Sequence, residues 1–131
     1  MNVNWEKLKY FSRKEFGPEP EKVAPELVLL LERIREVAKT AIHIHCSWAD
    51  GGHSTKSYHY TGLACDFHFA SLTPRSQYCL LREFREVGGL GFYPTWNNVG
   101  WHIDLRDGFL QWVCRNGVYQ YGWQQMSEAL K

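Results

Sequence analysis

The stretch SYHYTGLACDFHF, residues 57–69, places an acidic residue inside a segment whose composition predicts a buried strand. Small and aromatic residues flank Asp66 on both sides, and a buried carboxylate is costly unless a cation or a metal neutralises its charge. His59 lies seven positions earlier, with Gly62 between the two. The stretch therefore predicts a core strand with a functional carboxylate, and the rest of the chain has to supply the neutralising group.

Length and charge limit the function classes. The 131 residues suit one hydrophobic core, so we expect a single domain over residues 1–131. The 15 basic and 14 acidic residues are interspersed and give a net charge of +1, which disfavours nucleic acid or an anionic membrane as partner. Because no secretion signal or long apolar run is present, we expect a cytoplasmic protein as synthesised. The four cysteines form no C-x-x-C pair and are expected to be buried free thiols.

Helices are predicted in the first two thirds of the chain. Apolar residues recur at three- and four-residue spacing through PELVLLLERIREVAKTA, residues 25–41: these are Leu27, Leu30, Leu31, Ile34, Val37 and Ala38. A second helix is predicted for TPRSQYCLLREFREVGG, with Thr73 as N-cap and Gly88 as the terminating residue.

Strands dominate the remainder. AIHIHCSW (residues 41–48) alternates before the opening stretch, and four short runs follow the second helix: LGFYP, GWHIDL, FLQWVC and GVYQYGW. Asp-Gly and Asn-Gly pairs between the last runs are hairpin signals. The pattern predicts an α+β fold with a small antiparallel sheet, packed with helices and ending in a meander.

The run VGWHIDLR supplies partners for Asp66. His102 and Asp104 are two residues apart in a predicted strand, so their side chains share one face. Together with His59 and Asp66 they offer two histidines and a carboxylate, a set with which a catalytic zinc can be held while one position stays open for water.

Other interpretations of these residues remain open at this point. Strand and loop histidines are mostly structural or surface groups, which is the interpretation we give to His43, His45, His53 and His68. Asp104 could cap its turn or pair with Arg106, and Ser57 could be a hydrogen-bonding residue at a loop end. Spacing alone does not decide between these roles and zinc binding.

The opening stretch also resembles a family signature. Ser57, His59, Gly62, Ala64 and Asp66 match S-x-H-x-x-G-x-A-x-D of the zinc D,D-carboxypeptidase and L-alanyl-D-glutamate peptidase family, whose fold is shared with the hedgehog signalling domain. The downstream run GGLGFYPTWNNVGWHIDLR is similar to the second signature of the murein-peptidase branch, found in phage endolysins and bacterial cell-wall enzymes. YFSRKEF near the start resembles the opening segment of that branch.

The resemblance implies a fold, a cofactor and a substrate. The fold would be hedgehog-like, and Zn²⁺ would be bound by His59, Asp66 and His102 with water as the fourth ligand. Ser57 would contact a ligand or the substrate. The substrate would be peptidoglycan peptides that contain D-amino acids, and access to the cell wall would be assisted by a phage or a holin.

The chain departs from the family pattern at two places. Many members have an acidic general base three residues before the last zinc histidine, where this chain has Val99. Asp104 is the substitute we predict, as general base or as a group that orients His102. Members also have an S-G-x-R-like turn whose arginine holds the substrate carboxylate, and CSWADGGH has none; Lys56 and Arg106 are the candidate replacements.

Three functions are therefore compared. The first is zinc-dependent hydrolysis of cell-wall peptides. The second, favoured by the two departures, is a metal-binding but catalytically weak binding or structural module, such as a phage tail or assembly component. The third is a 2-His-1-carboxylate iron oxygenase, which is disfavoured because its lone histidine should follow H-x-D and no histidine follows Asp104.

Overall fold

The computed structural model describes residues 2–131. Within that range it contains three α-helices: α1 (Pro25–Ala38), α2 (Pro74–Leu81) and α3 (Trp123–Ala129). The same range contains six strands: β1 (Ile42–Cys46), β2 (Ala64–Phe69), β3 (Gly89–Tyr93), β4 (Gly100–Asp104), β5 (Leu110–Arg115) and β6 (Val118–Tyr121). Short 3₁₀ helices lie at Trp5–Lys7, Arg13–Phe16, Pro20–Lys22 and Tyr58–Thr61. The predicted α+β class is confirmed. None of the helices in the described range is long and apolar enough to cross a membrane.

The strands form one sheet in the order β1-β2-β4-β3-β5-β6. Neighbours are antiparallel except β3 and β5, which are parallel, so the prediction of an antiparallel sheet with a terminal meander is wrong at this pair. Gly89 at the start of β3 lies opposite Asp104, the last residue of β4, and beside Leu110, the first residue of β5. The chain thus leaves β4 and enters β5 at the same end of β3, which makes β5 run in the direction of β3.

The two hairpin signals have different outcomes. Asn116 and Gly117 join β5 to β6 with φ angles of 50° and 81°, the left-handed conformations of a two-residue hairpin turn, so that prediction is confirmed. Asp107 and Gly108 join β4 to β5, which do not pair because β3 lies between them. The Asp-Gly hairpin prediction is therefore wrong, since a turn motif predicts a local bend whereas pairing depends on which sheet edge is free.

Helix α1 confirms most of the predicted core positions. The fully buried residues include Leu27, Leu30, Leu31 and Ile34. Val37, also predicted to face the core, is exposed. Ala38, the next residue, packs partly against the core cluster in that last turn. The helix ends there, with Lys39 in the left-handed conformation at φ 55°.

Helix α2 is shorter than predicted. The Thr73 hydroxyl accepts the Ser76 N–H at 3.2 Å, as expected of an N-cap. The helix ends at Leu81 instead of continuing to Gly88, because the N–H groups of Glu83 and Phe84 bond carbonyls three residues back, as in a tighter turn. Phe84 is still buried, so the apolar periodicity predicted burial correctly and the helix length wrongly.

Half of the cysteine prediction is wrong. Cys65 and Cys114 are buried free thiols, whereas Cys46 is half-buried and Cys79 is exposed. Cys79 follows Tyr78 in α2, and because Tyr78 and Leu81 face the core, helical periodicity turns the intervening Cys79 toward solvent.

The two faces of the sheet have different roles. One face packs into a hydrophobic cluster with α1 and α2 and contributes Phe67, Leu90 and Trp101. Because side chains alternate along a strand, Asp66 and His102, which flank Phe67 and Trp101 in sequence, point to the opposite face. That opposite face forms the floor of a cleft of about 740 Å³, which Asp66 and His102 both line.

Candidate metal centre

Strand pairing brings Asp66 and His102 together. They are direct partners across the antiparallel pair β2–β4, and His102 Nδ1 lies 3.0 Å from Asp66 Oδ1. The sequence predicted that both residues face a common site. It did not predict the β2–β4 register, which places them side by side.

His59 reaches the same carboxylate from the 3₁₀ helix that precedes β2. The Ser57 hydroxyl accepts the His59 backbone N–H at 3.2 Å and so caps this helix. Gly62 ends it at φ +73°, where an added Cβ would lie 1.9 Å from the Lys22 carbonyl oxygen, so glycine is needed for both conformation and space. His59 Nε2 consequently lies 3.3 Å from Asp66 Oδ1.

The second nitrogen of each imidazole has its own partner. His59 Nδ1 lies 2.7 Å from the Ser47 carbonyl oxygen, which can only accept, so Nδ1 carries the proton. His102 Nε2 lies 2.7 Å from Asp104 Oδ2 and donates its proton there. The other two imidazole nitrogens, His59 Nε2 and His102 Nδ1, face Asp66.

This arrangement fits a metal ion. His59, Asp66 and His102, which we call the triad, each offer a ligand atom within 4.8 Å of the others. Ligands about 2.0–2.2 Å from a tetrahedral zinc are about 3.3–3.6 Å apart. The separation of His59 Nε2 from Asp66 Oδ1 is 3.3 Å, and that of His102 Nδ1 is slightly shorter, at 3.0 Å. His59 Nε2 is also buried without a hydrogen-bond partner, which a metal ligand bond would supply.

The charges around the triad attract a cation. Burial acts to raise the pKa of Asp66, but the neighbouring His102 and His59 imidazoles hold it well below its usual range. Burial lowers the pKa of His59, yet the Asp66 carboxylate outweighs it and raises that pKa to about 10. Asp66 is therefore ionised at neutral pH. In metal-free protein its negative charge is balanced by protons on the neighbouring imidazoles.

Asp104 is fully buried behind His102. Its Oδ1 accepts Arg106 Nε at 2.8 Å and its Oδ2 accepts Arg106 Nη2 at 2.7 Å. These contacts hold the pKa of Asp104 well below its usual range despite burial. Gly89 opposite provides the space, since an added Cβ would lie 2.2 Å from Asp104 Oδ2. Both oxygens are engaged and Asp104 does not line the cleft, so of its two predicted roles the contacts favour orienting His102 over acting as general base.

The other predicted site residues lie at the cleft. Ser57, Lys56 and Arg106 all line it. Lys56 is exposed, whereas the Arg106 guanidinium is paired with Asp104 and lies 4.7 Å from the Tyr58 ring centre. Val99, at the position of the expected base, is exposed and does not line the cleft.

Several cleft residues were missed by the sequence analysis. They are His53 and the aromatic residues Tyr93, Trp112, Tyr119 and Tyr121. The alternation of β5 and β6 could have placed Trp112 and Tyr121 on one face, but only knowledge of the β3–β5 pairing connects that face to the triad. His53 was interpreted as a structural or surface residue outside the site, and the structure stacks its ring on His59 with centroids 4.1 Å apart. His43, His45 and His68 form a separate group on β1 and β2, as expected of residues outside the triad.

Fold and site together define an α+β protein with a largely buried His–Asp–His group that could bind a metal ion. No protein-family model matches the chain, and searches of curated proteins and of solved structures also found no match. The function is therefore argued from the site and from the sequence signature.

Proposed function

We propose that this chain is a zinc-dependent hydrolase of peptide bonds in bacterial cell-wall peptides that contain D-amino acids, on a hedgehog-like peptidase fold. The observation that carries the proposal is the orientation of the two imidazoles. Each has one nitrogen held by an acceptor and the other directed at Asp66, on the floor of an open cleft. The S-x-H-x-x-G-x-A-x-D signature supports the choice of metal and substrate class.

Each residue of the site has a separate task in this proposal. His59, Asp66 and His102 would hold the zinc. Bound there, zinc supplies a Lewis acid that polarises the scissile carbonyl and activates water near neutral pH. The Ser47 carbonyl and Asp104 select the imidazole tautomers that leave the ligand nitrogens free. Arg106 keeps Asp104 ionised and fixed in position.

The cleft has the dimensions and walls for a peptide. Its volume of about 740 Å³ lies in the range of ligand pockets. Tyr93 of β3, Trp112 of β5 and Tyr121 of β6 line the cleft, and so does Lys56 in the loop before β2. Because the charge of Arg106 is paired with Asp104, we assign attraction of a substrate carboxylate to Lys56.

Metal content and wall digestion test the proposal together. Purified protein freed of loosely bound metal should retain about one zinc per chain. His59→Ala, Asp66→Ala and His102→Ala should each lose it, whereas His43→Ala and His45→Ala, matched histidine variants on β1, should retain it. Wild type should release new amino or carboxyl termini from purified peptidoglycan, stop on chelation and recover with zinc. Zinc that persists in His102→Ala but not in His43→Ala would refute the triad.

A metal-binding but catalytically weak module on the same fold is the second candidate. It is favoured by one observation: among the described residues that line the cleft, Asp66 is the one carboxylate. If Asp66 binds the metal, no second carboxylate is in place as general base. Tight zinc binding together with no product from a panel of wall peptides would select this candidate over the hydrolase.

A further inference from the structure

We propose that Cys46 and His53 form a second metal position beside the triad, which binds a thiophilic divalent cation such as Zn²⁺ more weakly than the triad does. This position is separate from hydrolysis and goes beyond the proposed function. Sequence spacing does not predict it, because Cys46 lies in a strand and His53 in a glycine-containing loop.

A bulge in β1 brings Cys46 to the triad. The register between β1 and β2 shifts between Ile44 and Cys46, which places Cys46 opposite Asp66. Cys46 Sγ then lies 3.5 Å from His53 Nε2. A thiolate and an imidazole bound to one tetrahedral zinc, at about 2.3 and 2.0–2.1 Å, are about 3.6 Å apart. The observed Sγ–Nε2 separation therefore already matches an edge of a zinc site.

His53 is held in place despite its loop position. The Tyr60 hydroxyl accepts the His53 backbone N–H at 2.9 Å and donates to the His53 carbonyl oxygen at 2.6 Å. The His53 ring also stacks on the buried His59 ring, with an angle of 18° between their planes. These contacts orient Nε2 toward Cys46 before any metal binds, which lowers the entropic cost of binding.

The hydrogen bond of His59 separates the two positions. His59 Nδ1 is 3.8 Å from Cys46 Sγ, and Cys46, His53 and His59 together fall within ligand distance of one another. However, Nδ1 donates to the Ser47 carbonyl at 2.7 Å, so His59 offers only Nε2, which faces the triad. The second position then has two protein ligands, whereas the triad has three. Its metal affinity should be lower, so it should fill after the triad.

The ligand types select the cation. A thiolate and an imidazole favour Zn²⁺ and similar soft ions over Mg²⁺ or Ca²⁺. Ligation forms the metal–sulfur bond and releases the Cys46 thiol proton to solvent. Solvent or a solute would occupy the remaining positions.

Cobalt titration tests the proposal without an activity assay. Co²⁺ is added to metal-free protein with the Cys79→Ser substitution, which removes the exposed thiol on α2. A thiolate-to-cobalt charge-transfer band in the near ultraviolet reports sulfur ligation. We expect the first equivalent to give no such band and the second to produce it. Cys46→Ser and His53→Ala should abolish the band. His45→Ala, which removes a β1 histidine outside both metal positions, should leave the band unchanged.

Two results would overturn the inference: no band at several equivalents of Co²⁺, or a full band at the first equivalent, which would make Cys46 part of the primary site.

Alkylation of Cys46 in folded Cys79→Ser protein is a second measurement that needs no site variant. Zinc beyond one equivalent should slow it, and an unchanged rate contradicts the proposal. His102→Ala should lose the first binding event and keep the band, so failure of the triad and failure of the second position are distinguishable.

Discussion

Replacing Asp104 by asparagine isolates the orienting role. Asparagine has the same shape as aspartate, but one of its two polar atoms is an NH₂ group, which can only donate. In wild type the two carboxylate oxygens accept from His102 Nε2 at 2.7 Å and from Arg106 Nε and Nη2 at 2.8 and 2.7 Å. In Asp104→Asn the NH₂ group either replaces Oδ2, where it faces both His102 Nε2 and Arg106 Nη2, or replaces Oδ1, where it faces Arg106 Nε; all three are donors.

The magnitude follows from those contacts. If the NH₂ group replaces Oδ2, the bond from Arg106 Nη2 is lost, the imidazole changes tautomer, and its Nδ1 proton points at Asp66, where a metal would bind. Loss of such an orienting partner typically weakens zinc binding by 10- to 100-fold, or about 1.4–2.7 kcal/mol. If it replaces Oδ1, His102 keeps its acceptor, and a charged hydrogen bond from Arg106 Nε, of about 1.5–3 kcal/mol, is lost from folding stability.

The assay measures zinc affinity with a competing chelator, thermal unfolding and turnover on the same Asp104→Asn sample. Asp107→Asn, an exposed carboxylate in the turn after β4, is the matched control and should equal wild type. Turnover reduced by about 100-fold or more with unchanged zinc affinity would show that Asp104 is a general base and refute the orienting role. Wild-type values of affinity, stability and turnover would remove Asp104 from the site.

Three further predictions concern space, pH and substrate. Gly89→Ala should unfold at lower temperature and bind zinc less tightly, because the added Cβ would lie 2.2 Å from Asp104 Oδ2. In the control Gly51→Ala the added Cβ has no atom within 4 Å, so both measurements should match wild type. Apparent zinc affinity, measured by chelator competition, should rise by about tenfold per pH unit for each displaced proton as pH increases from 6 to 8. The reason is that metal-free His59 has a pKa raised to about 10, so zinc has to displace its proton. An affinity independent of pH would contradict this. Lys56→Ala should raise KM about two- to fivefold for wall peptides with a free carboxylate and not for their amides, as expected of an exposed charge; equal KM changes for both would exclude the assignment.

Sequence reasoning succeeded where a few neighbouring residues determine the outcome. Apolar spacing predicted the buried face of α1, and Asn116-Gly117 predicted the β5–β6 hairpin. The two-residue period also predicted that His102 and Asp104 share a face, and their side chains are hydrogen-bonded to each other at 2.7 Å. These features depend on backbone periodicity and turn geometry, which short segments determine without reference to the rest of the chain.

Tertiary structure decided the features that join distant segments. The parallel β3–β5 pair and the placement of His53 over His59 were not predicted. Each depends on which sheet edge is free or on how a loop packs. Neither choice leaves a periodic pattern in the sequence. The sequence by itself therefore determined the α+β class and the candidate ligand types. The fold decided the register that brings His102 to Asp66, because only strand pairing gives residues 36 positions apart a separation of 3.0 Å.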